Sequence, residues 1–288
     1  MTIDSIPRVL SIAGTDPTGG AGIQADIKAI SAAGGFAMTV VTSLVSQNTQ
    51  GVREIFTPPR TFLREQLEAV REDVDIDAVK IGMLGDRDTI AEVGDFLARI
   101  DTDIPVVIDP VMVASSGDLL HDAHSADALI ELIPRADLIT PNAHELAVLR
   151  QVINGGDPAR AGACTTREES TAYAAEVAQR LGTAVVCKGG HLSSEDAGNT
   201  VITPDGSTWH TPVERINTRN THGTGCSLSS AIATRLGAGQ RAPEAVHWAT
   251  MWIHEAIAHA DELEVGYGHG PIHHFHQLYR QAGLIADQ

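Results

Sequence analysis

The residues best suited to chemistry in this chain lie at positions 220–227, which read Asn-Thr-His-Gly-Thr-Gly-Cys-Ser. A run rich in Ala, Ser and Leu follows at 228–236 and predicts a helix. Gly223 and Gly225 allow backbone N–H groups to converge, and the start of a helix adds partial positive charge, so this turn can hold an anion. A thiol at its rim, that of Cys226, is expected to lose its proton more easily than a free cysteine, whose pKa is about 8.5. An anion hole beside a proton acceptor is what phosphoryl transfer to an alcohol requires, whereas the alternative is a helix start with one buried cysteine.

Polar residues also follow several short apolar runs that predict strands. Asp109 follows one run, Asn142 and Glu145 follow the next, and Lys188 ends another. Because the carboxyl ends of parallel strands meet at one edge of an open α/β sheet, we expect these side chains to face a common ligand. Asp109, Asn142 and Glu145 offer the oxygen ligands of Mg²⁺ bound to nucleotide phosphates, although the last two also have capping-box spacing. Two glycines follow Lys188 and leave it free to reach a phosphate.

A glycine-rich segment, residues 14–26, follows the first predicted strand. Its glycine spacing resembles that of a dinucleotide-binding turn, but no acidic residue ends the second predicted strand, which argues against a nicotinamide-dependent dehydrogenase. The segment also lacks the Gly-Lys-Ser/Thr of a Walker A motif. Asp16 and Asp26 are therefore candidates for polar contacts at the carboxyl edge of the sheet.

Two further strand ends carry side chains suited to a flat heterocycle. Gln47 offers both an amide donor and an acceptor, and Met83 offers a polarisable apolar surface. The structural alternative for Gln47 is an ordinary polar strand end.

Histidines and cysteines give weaker signals. Four histidines, at 269, 273, 274 and 276, lie close together, but no cysteine or carboxylate accompanies them at ligand spacing, so we expect packing and only adventitious metal binding. The three cysteines show no Cys-x-x-Cys spacing and are odd in number, which predicts neither a disulfide framework nor a zinc site and favours a reducing compartment.

Short aliphatic runs alternate with amphipathic stretches along most of the chain. This rhythm predicts a mostly parallel sheet with helices on both faces. The predicted strands are 8–13, 37–44, 77–81, 105–108, 136–140 and 184–188, and the predicted helices are 21–33, 60–72, 88–100, 125–133 and 167–181. A hairpin is expected within 200–211, a surface loop or small insertion within 152–164, and helical structure from 226 onward.

Composition excludes several classes of partner. With 20 basic against 37 acidic residues, the net charge is −17, which argues against binding to nucleic acid or to an anionic membrane. No stretch approaches 18 uninterrupted apolar residues, and the first residues do not form a signal peptide, so we expect a cytoplasmic protein.

The ordered set of motifs resembles the ribokinase-like superfamily and, within it, the hydroxymethylpyrimidine/phosphomethylpyrimidine kinase family of thiamine biosynthesis. The resemblance extends from residue 8 to about residue 279. It implies a three-layer α/β/α fold and a single kinase domain over 1–288, with a core at about 8–280. The motifs that carry it are S-I-A-G-T-D-P-T-G-G-A-G-I-Q-A-D at 11–26, Q-N-T at 47, K-I-G-M-L at 80, D-P-V-M at 109, S-S-G-D at 115, T-P-N at 140, K-G-G-H at 188 and N-T-H-G-T-G-C at 220.

The resemblance also implies roles for individual residues. Gly223, Thr224, Gly225 and Cys226 would form the anion hole, with Cys226 near the acceptor hydroxyl. Lys188 would contact the phosphates of ATP. The substrate side would comprise Gln47, which would bind the aminopyrimidine, the backbone of Gly19, Gly20 and Ala21, the ring contact of Met83, and Asp26. Asp109, Asn142 and Glu145 would organise Mg²⁺ and its waters.

The expected activity is ATP- and Mg²⁺-dependent phosphorylation of 4-amino-5-hydroxymethyl-2-methylpyrimidine and then of its monophosphate, by a homodimer. Pyridoxal kinase of the same superfamily is the alternative, and a noncatalytic sensor would require a damaged anion hole or magnesium set, neither of which is visible. Two features depart from many relatives: Ser115 stands where they have lysine, and residues 154–163 form a longer segment.

Overall fold

One eight-stranded sheet organises the fold, with strand order β10-β9-β8-β7-β6-β5-β1-β2. The computed structural model describes residues 5–112 and 125–285, apart from the side chains of residues 125 and 191. Its strands are β1 (Arg8–Ala13), β2 (Phe36–Val41), β3 (Leu44–Asn48), β4 (Gly51–Phe56), β5 (Ala78–Ile81), β6 (Val106–Ile108), β7 (Leu138–Ile139), β8 (Ala184–Lys188), β9 (Asn199–Ile202) and β10 (Thr208–Thr211). Its α-helices are α1 (Gly22–Ala32), α2 (Arg60–Arg71), α3 (Arg87–Leu97), α4 (Ser125–Leu132), α5 (Ala143–Ile153), α6 (Arg167–Leu181), α7 (Thr224–Gly237), α8 (Ala242–Ala258) and α9 (His276–Gln281).

Parallel pairing joins β2, β1, β5, β6, β7 and β8, and the β9–β10 hairpin continues this sheet in antiparallel register. Adjacent residues of a central strand pack into different cores, because successive side chains of a strand point to opposite faces. Val107 packs in the core beneath α1, α7 and α8, whereas Ile108 packs in the core shared with α2 to α6. Both faces are thus covered by helices, as the nearly continuous apolar strands predicted.

The observed elements agree with the expected rhythm, and the hairpin within 200–211 is confirmed. Two predictions are wrong. The strand expected at 37–44 ends at Val41, and Leu44 begins a separate β3–β4 hairpin. The chain from 226 onward is not helical throughout, since residues 264–275 form an irregular segment between a 3-10 turn and α9.

The segment at 152–164 is largely exposed, as a surface loop requires. Helix α5 runs into it, a 3-10 turn forms at Pro158–Arg160, and the N–H of Cys164 donates to the carbonyl of Ala143 at 3.2 Å. Ser115 lies outside the described residues. Across the described ranges, no helix combines the length and apolar character needed to cross a membrane.

Candidate active site

A cavity of about 900 Å³ opens at the carboxyl ends of the parallel strands. Its walls bring together residues that are far apart in sequence, from Ala13 to His269. Of the expected site residues, those that line it are Ala21, Gln47, Met83, Asp109, Asn142, Glu145, Lys188, Gly223, Thr224, Gly225 and Cys226. Gly19, Gly20 and Asp26 are not among the described residues of its lining.

The start of α7 forms one wall of this cavity. Gly223 is the N-cap residue and has a φ of 77°, in the left-handed region that glycine adopts without strain. A Cβ at this position would lie 1.7 Å from the carbonyl oxygen of Gly20, so no side chain fits. The glycine therefore permits close packing of the 14–21 loop against the helix, and the first N–H groups of α7 face the cavity.

Lys188 and Asp109 lie directly beside this helix start. Lys188 Nζ is 3.2 Å from Asp109 Oδ1, and Thr140 Oγ1 donates to the same carboxylate at 2.9 Å. A Cβ on Gly225 would lie 3.2 Å from Lys188 Nζ and 3.3 Å from Asp109 Oδ2. Burial lowers the pKa of Lys188, but Asp109 and Glu145 outweigh it and the net pKa is raised, so the lysine carries its charge into the cavity.

Glu145 and Asn142 form the capping box that their spacing allowed. The Asn142 side chain accepts from the N–H groups of His144 and Glu145 at 2.9 Å, and Glu145 Oε2 accepts from the N–H of Asn142 at 2.8 Å. The structural interpretation of this pair is confirmed. It does not exclude a ligand role, because both side chains also line the cavity.

The electrostatics of Glu145 and Asp109 fit a divalent cation. Burial raises the pKa of Glu145 to about 7; Lys188 opposes this rise and Asp109 adds to it. Both carboxyl groups are at most 3% exposed. A nearby cation stabilises the ionised form of two buried carboxyl groups, and Mg²⁺ prefers such oxygen ligands.

Cys226 is half-buried and lines the cavity, but its thiol is not acidified. Burial raises its pKa to about 11, and the carboxylates of Asp26 and Asp109 add to this rise. The positive charge of Lys80 lowers the pKa of this thiol, but its effect is smaller than that of burial. The expectation of a thiol more acidic than a free cysteine is therefore wrong, because desolvation outweighs the positive charge of Lys80.

Asp26 does not face the ligand cavity, contrary to expectation. It is fully buried on α1, where Lys80 Nζ lies 2.8 Å from both carboxylate oxygens. Ser11 and Ser230 donate to the same carboxylate at 2.6 and 2.8 Å. Lys80 is itself fully buried, and its pKa is raised because Asp26, Cys226 and Asp109 together outweigh its desolvation. Asp26 and Lys80 thus form a buried ion pair beneath the cavity.

Asp16 organises the loop that packs against the start of α7. This carboxylate is fully buried and accepts from the N–H groups of Thr18, Gly20 and Ala21 at 2.8 to 3.0 Å. His222 Nε2 lies 2.8 Å from Asp16 Oδ2. Burial alone would raise the pKa of Asp16, but the hydrogen bonds from His222 and Thr18 lower it to about 2.

The contact between Asp16 and His222 was not expected from sequence. Asp16 stood out as a polar residue at the sheet edge, and His222 lies within the anion-hole motif, but no local pattern links positions so far apart. Gly19 and Gly20 lie in the loop that this contact fixes. Gly19 accepts from Lys28 through its carbonyl at 2.8 Å, and a Cβ on Gly20 would lie 2.5 Å from the His222 ring.

Gln47 and Met83 also line the cavity. Gln47 follows a register shift in the β3–β4 hairpin, and its Nε2 donates to the carbonyl of Thr15 at 3.2 Å. A Cβ on Gly14 would lie 3.4 Å from Met83 Sδ, so the thioether rests over a bare backbone turn. An amide and a thioether in one cavity suit a small polar heterocycle.

Comparison with known proteins identifies the family of the chain. The family model described as phosphomethylpyrimidine kinase matches residues 16–273. A hydroxymethylpyrimidine/phosphomethylpyrimidine kinase of Rhizobium meliloti is 45% identical, over 94% of this chain and 98% of the relative. The kinase of the same name from Escherichia coli K12 is 43% identical, over 93% and 97% respectively.

Longer relatives also match. The thiamine biosynthesis multifunctional protein ThiED of Corynebacterium glutamicum is 52% identical over 96% of this chain, which spans only 35% of that protein. The chain thus covers about a third of the length of these corynebacterial relatives.

Solved structures confirm the ribokinase-like fold that was expected. The ADP complex of Bacillus subtilis pyridoxal kinase superposes with a TM-score of 0.79 at 30% identity, covering 95% of this chain and 99% of that one. Phosphomethylpyrimidine kinase from Clostridium difficile 630 gives a TM-score of 0.71 at 35% identity, covering 87% and 99%. The matched model spans most of the chain, and relatives of nearly equal length carry the corresponding name, so the chain belongs to the phosphomethylpyrimidine kinase family.

Proposed function

We propose that this chain is an ATP- and Mg²⁺-dependent kinase that acts on 4-amino-5-hydroxymethyl-2-methylpyrimidine. It then phosphorylates the resulting monophosphate to the diphosphate used in making thiamine diphosphate. One observation carries the proposal. The glycine turn at the start of α7, the charged Lys188, and two side chains suited to a heterocycle, Gln47 and Met83, all line one cavity. The names of the relatives that match over nearly their whole length support the same substrate.

Positioning and charge neutralisation supply most of the catalysis in this proposal. Phosphoryl transfer spreads negative charge over the equatorial oxygens of the moving group and asks for little covalent help. The N–H groups at the start of α7 and the ammonium of Lys188 converge where that charge develops. Their fixed geometry stabilises the transition state without reorganisation of solvent.

Asp109, Asn142 and Glu145 would hold Mg²⁺ together with its waters. The bound ion would neutralise charge on the nucleotide phosphates. The ligands themselves are held in advance: Thr140 fixes Asp109, and the capping box fixes Glu145 against Asn142. Because the pKa of Glu145 is about 7, binding of the cation is coupled to loss of a proton near neutral pH.

The two transfers make different demands on Cys226. The first acceptor is a hydroxymethyl group, which benefits from a proton acceptor, whereas the second is a phosphate oxygen that is already anionic. With its pKa at about 11, the thiol is protonated before substrate binds. Its role as a base therefore requires that Lys80 and the α7 N-terminus stabilise the thiolate during the first transfer.

Pyridoxal kinase is the second candidate, and one observation favours it. The B. subtilis pyridoxal kinase shares the fold at a TM-score of 0.79 over nearly both whole chains. This pyridoxal kinase is 30% identical to the chain, whereas the bacterial pyrimidine kinases are 43–45% identical. The pyrimidine is therefore the substrate that we propose.

We further infer one cytoplasmic catalytic domain that forms a homodimer. The dimer inference rests on the edge of the sheet, where β2 has no partner on its outer side among the described strands. Leu44 and Phe56 pair across the adjacent hairpin and are 50% and 58% exposed. An apolar surface beside a sheet edge is suited to a second copy, and light scattering coupled to gel filtration would give the mass in solution.

The decisive experiment is ATP turnover by purified protein with Mg²⁺ and four acceptors: the hydroxymethylpyrimidine, its monophosphate, pyridoxal and ribose. Turnover on both pyrimidines with formation of the diphosphate is the expected result. A preference for pyridoxal without any diphosphate would move the chain to the second candidate. Loss of activity toward all four would contradict the kinase proposal.

A further inference from the structure

Three potential metal ligands meet where α8 approaches α9. Glu255 and His259 lie at the end of α8 and just after it, and His276 begins α9. One ligand atom of each lies within 4.8 Å of the others, and the two imidazole rings stack with centroids 5.0 Å apart. None of the three is among the described residues that line the active-site cavity, so this cluster is separate from the proposed kinase chemistry.

His276 presents a buried nitrogen with nothing to bind. The residue is 2% exposed, and its Nδ1 lies 3.2 Å from the carbonyl oxygen of His273. A carbonyl only accepts, so Nδ1 carries the hydrogen and Nε2 offers a lone pair. Within the described part of the chain, Nε2 is buried and makes no hydrogen bond. Buried polar atoms are almost always satisfied, so this nitrogen points to a missing ligand.

His259 is prepared in the same way. Its Nδ1 lies 2.7 Å from Glu262 Oε1, and an ionised carboxylate only accepts, so Nδ1 carries the hydrogen here too. Its Nε2 lies 4.0 Å from Glu255 Oε2. The guanidinium of Arg280 also lies 3.3 Å from Nδ1, but the contact with Glu262 is shorter and Arg280 is 3.9 Å from the same Glu262 oxygen, so Nδ1 donates to the carboxylate and Arg280 pairs with that carboxylate. A histidine whose far nitrogen donates to a carboxylate is the usual outer support of a metal ligand.

We propose that Glu255, His259 and His276 form a binding site for a divalent transition-metal ion of the Zn²⁺ class. Two imidazole nitrogens and one carboxylate are the donors that Zn²⁺ accepts, with water in the fourth position, and they disfavour Mg²⁺. Tetrahedral coordination places ligand atoms about 3.3 Å apart, given metal–nitrogen bonds of about 2.0 Å. The Glu255 side chain is 46% exposed, so it can move toward the two imidazole rings and shorten the distances between the ligand atoms.

The position of the site indicates a structural role. It links α8 to the end of the irregular segment 264–275, and that segment reaches the anion-hole loop. The N–H of His222 donates to the carbonyl of Gly270 at 3.0 Å, and His269 lines the cavity. A metal at His276 would hold the C-terminal end of this segment in place. This site could not be predicted from the histidine-rich segment alone, because its carboxylate comes from α8.

Metal titration of the tag-free, metal-stripped full-length protein tests the proposal. Zn²⁺ affinity would be measured by competition with a chromophoric chelator, and Co²⁺ would report ligand geometry through its visible absorption. We expect one tight equivalent per chain and a rise in melting temperature on adding Zn²⁺. Glu255→Gln and His276→Gln should each weaken binding at least tenfold, and Glu262→Gln, which removes the outer support, should weaken it about 10- to 100-fold.

His210→Gln is the matched control. His210 also contacts a carboxylate, Asp196, at 2.7 Å, but it lies on the mostly exposed edge strand β10 and not among the three proposed ligands. Its affinity and melting shift should equal those of the unsubstituted protein. Equal affinities in Glu255→Gln, His276→Gln and His210→Gln would mean adventitious binding by surface histidines and would overturn the proposal. Because Glu255 is partly exposed, its substitution decides the matter even where His276→Gln fails to fold, and neither outcome depends on kinase activity.

Discussion

His222 Nε2 and Asp16 Oδ2 lie 2.8 Å apart although 206 positions separate the two residues. Asp16 also accepts three backbone N–H groups of the loop that follows it, and His222 immediately precedes the N-cap glycine of α7. The contact therefore joins the loop that we propose to lie on the substrate side to the helix that we propose to form the anion hole. Both halves of the proposed active site depend on this one buried pair.

Asp16→Asn is expected to lower kcat/KM by about 100-fold, because a displacement of about 1 Å in a catalytic loop has an effect of that order. Asn keeps the shape of the side chain but removes the charge that His222 and the N–H groups face. Steady-state kinetics on the pyrimidine would measure the loss. Asp77→Asn, which breaks a 2.7 Å contact with Arg8 at the amino end of β1, is the matched control and should leave kcat/KM unchanged. Equal kinetics in both variants would contradict the coupling of the two loops.

The same carboxylate makes stability depend on pH. The pKa of Asp16 falls from 3.8 to about 2 on folding, so its contribution is present above pH 4 and is lost as pH falls through 2. The shift corresponds to about 2 kcal/mol of unfolding free energy. Urea unfolding at pH 5 and at pH 2.5 should show Asp16→Asn losing less stability on acidification than the unsubstituted protein. A parallel loss in both proteins would contradict this account.

The fold was largely predictable because its signals are local. Strands β1 and β8 and helix α6 have the bounds that their apolar patterns predicted, since a strand buried on both faces is a continuous aliphatic run. The β3–β4 hairpin was missed because Leu44 and Val45 resume the β-branched and aliphatic pattern soon after the bend at Thr42. At this bend the N–H of Thr42 donates to the carbonyl oxygen of Ala13, and the Thr42 hydroxyl donates to the carbonyl oxygen of Met83. These are tertiary contacts, which have no signature in the local sequence.

The candidate site was predictable as a set of residues but not in its electrostatics. Motif positions at strand ends do meet around one cavity, because parallel strands share a carboxyl edge. The burial of Asp26 against Lys80 depends on a partner 54 positions away, and the high pKa of Cys226 depends on desolvation by neighbouring layers. Neither quantity can be obtained from spacing within a motif.

Cys226→Ala is expected to slow the first phosphoryl transfer by about 10²-fold or more and the second much less, because only the hydroxymethyl acceptor must lose a proton. Single-turnover assays started separately from the pyrimidine and from its monophosphate would measure both rates. Cys187→Ala, at a buried cysteine of β8 that is not among the described residues lining the cavity, is the control and should leave the ratio of the rates unchanged. An equal loss in both transfers would leave Cys226 a packing or orienting role.

Lys80→Met is expected to destabilise the protein by about 3–5 kcal/mol, because it leaves the buried Asp26 carboxylate without its counter-ion. The double variant Lys80→Met/Asp26→Leu should recover much of this loss, since it removes both charges together. Urea unfolding at neutral pH would measure both free energies. A double variant no more stable than Lys80→Met would show that packing rather than charge pairing dominates at this position.

The pKa of Glu145 predicts how Mg²⁺ affinity changes with pH. Burial raises this pKa from 4.5 to about 7, so the folded, unliganded protein holds a proton below pH 7 that a bound cation must displace. Mg²⁺ affinity should therefore fall by up to about tenfold per pH unit below 7 and level off above it. Isothermal titration of Mg²⁺ into the protein with ADP, from pH 5.5 to 8.5, would measure the slope.

Glu145→Gln gives the sharper form of this test, because glutamine keeps the capping box with Asn142 while removing the ionisable group. The variant should bind Mg²⁺ weakly at pH 8, and its affinity should change little between pH 5.5 and 8.5. The control is Glu92→Gln, at a buried glutamate whose pKa two arginines, Arg64 and Arg60, hold at about 2, outside this range. Its pH profile should match that of the unsubstituted protein. If Glu145→Gln retained the slope, another group would carry the proton, and Asp109 would be the next carboxylate to substitute.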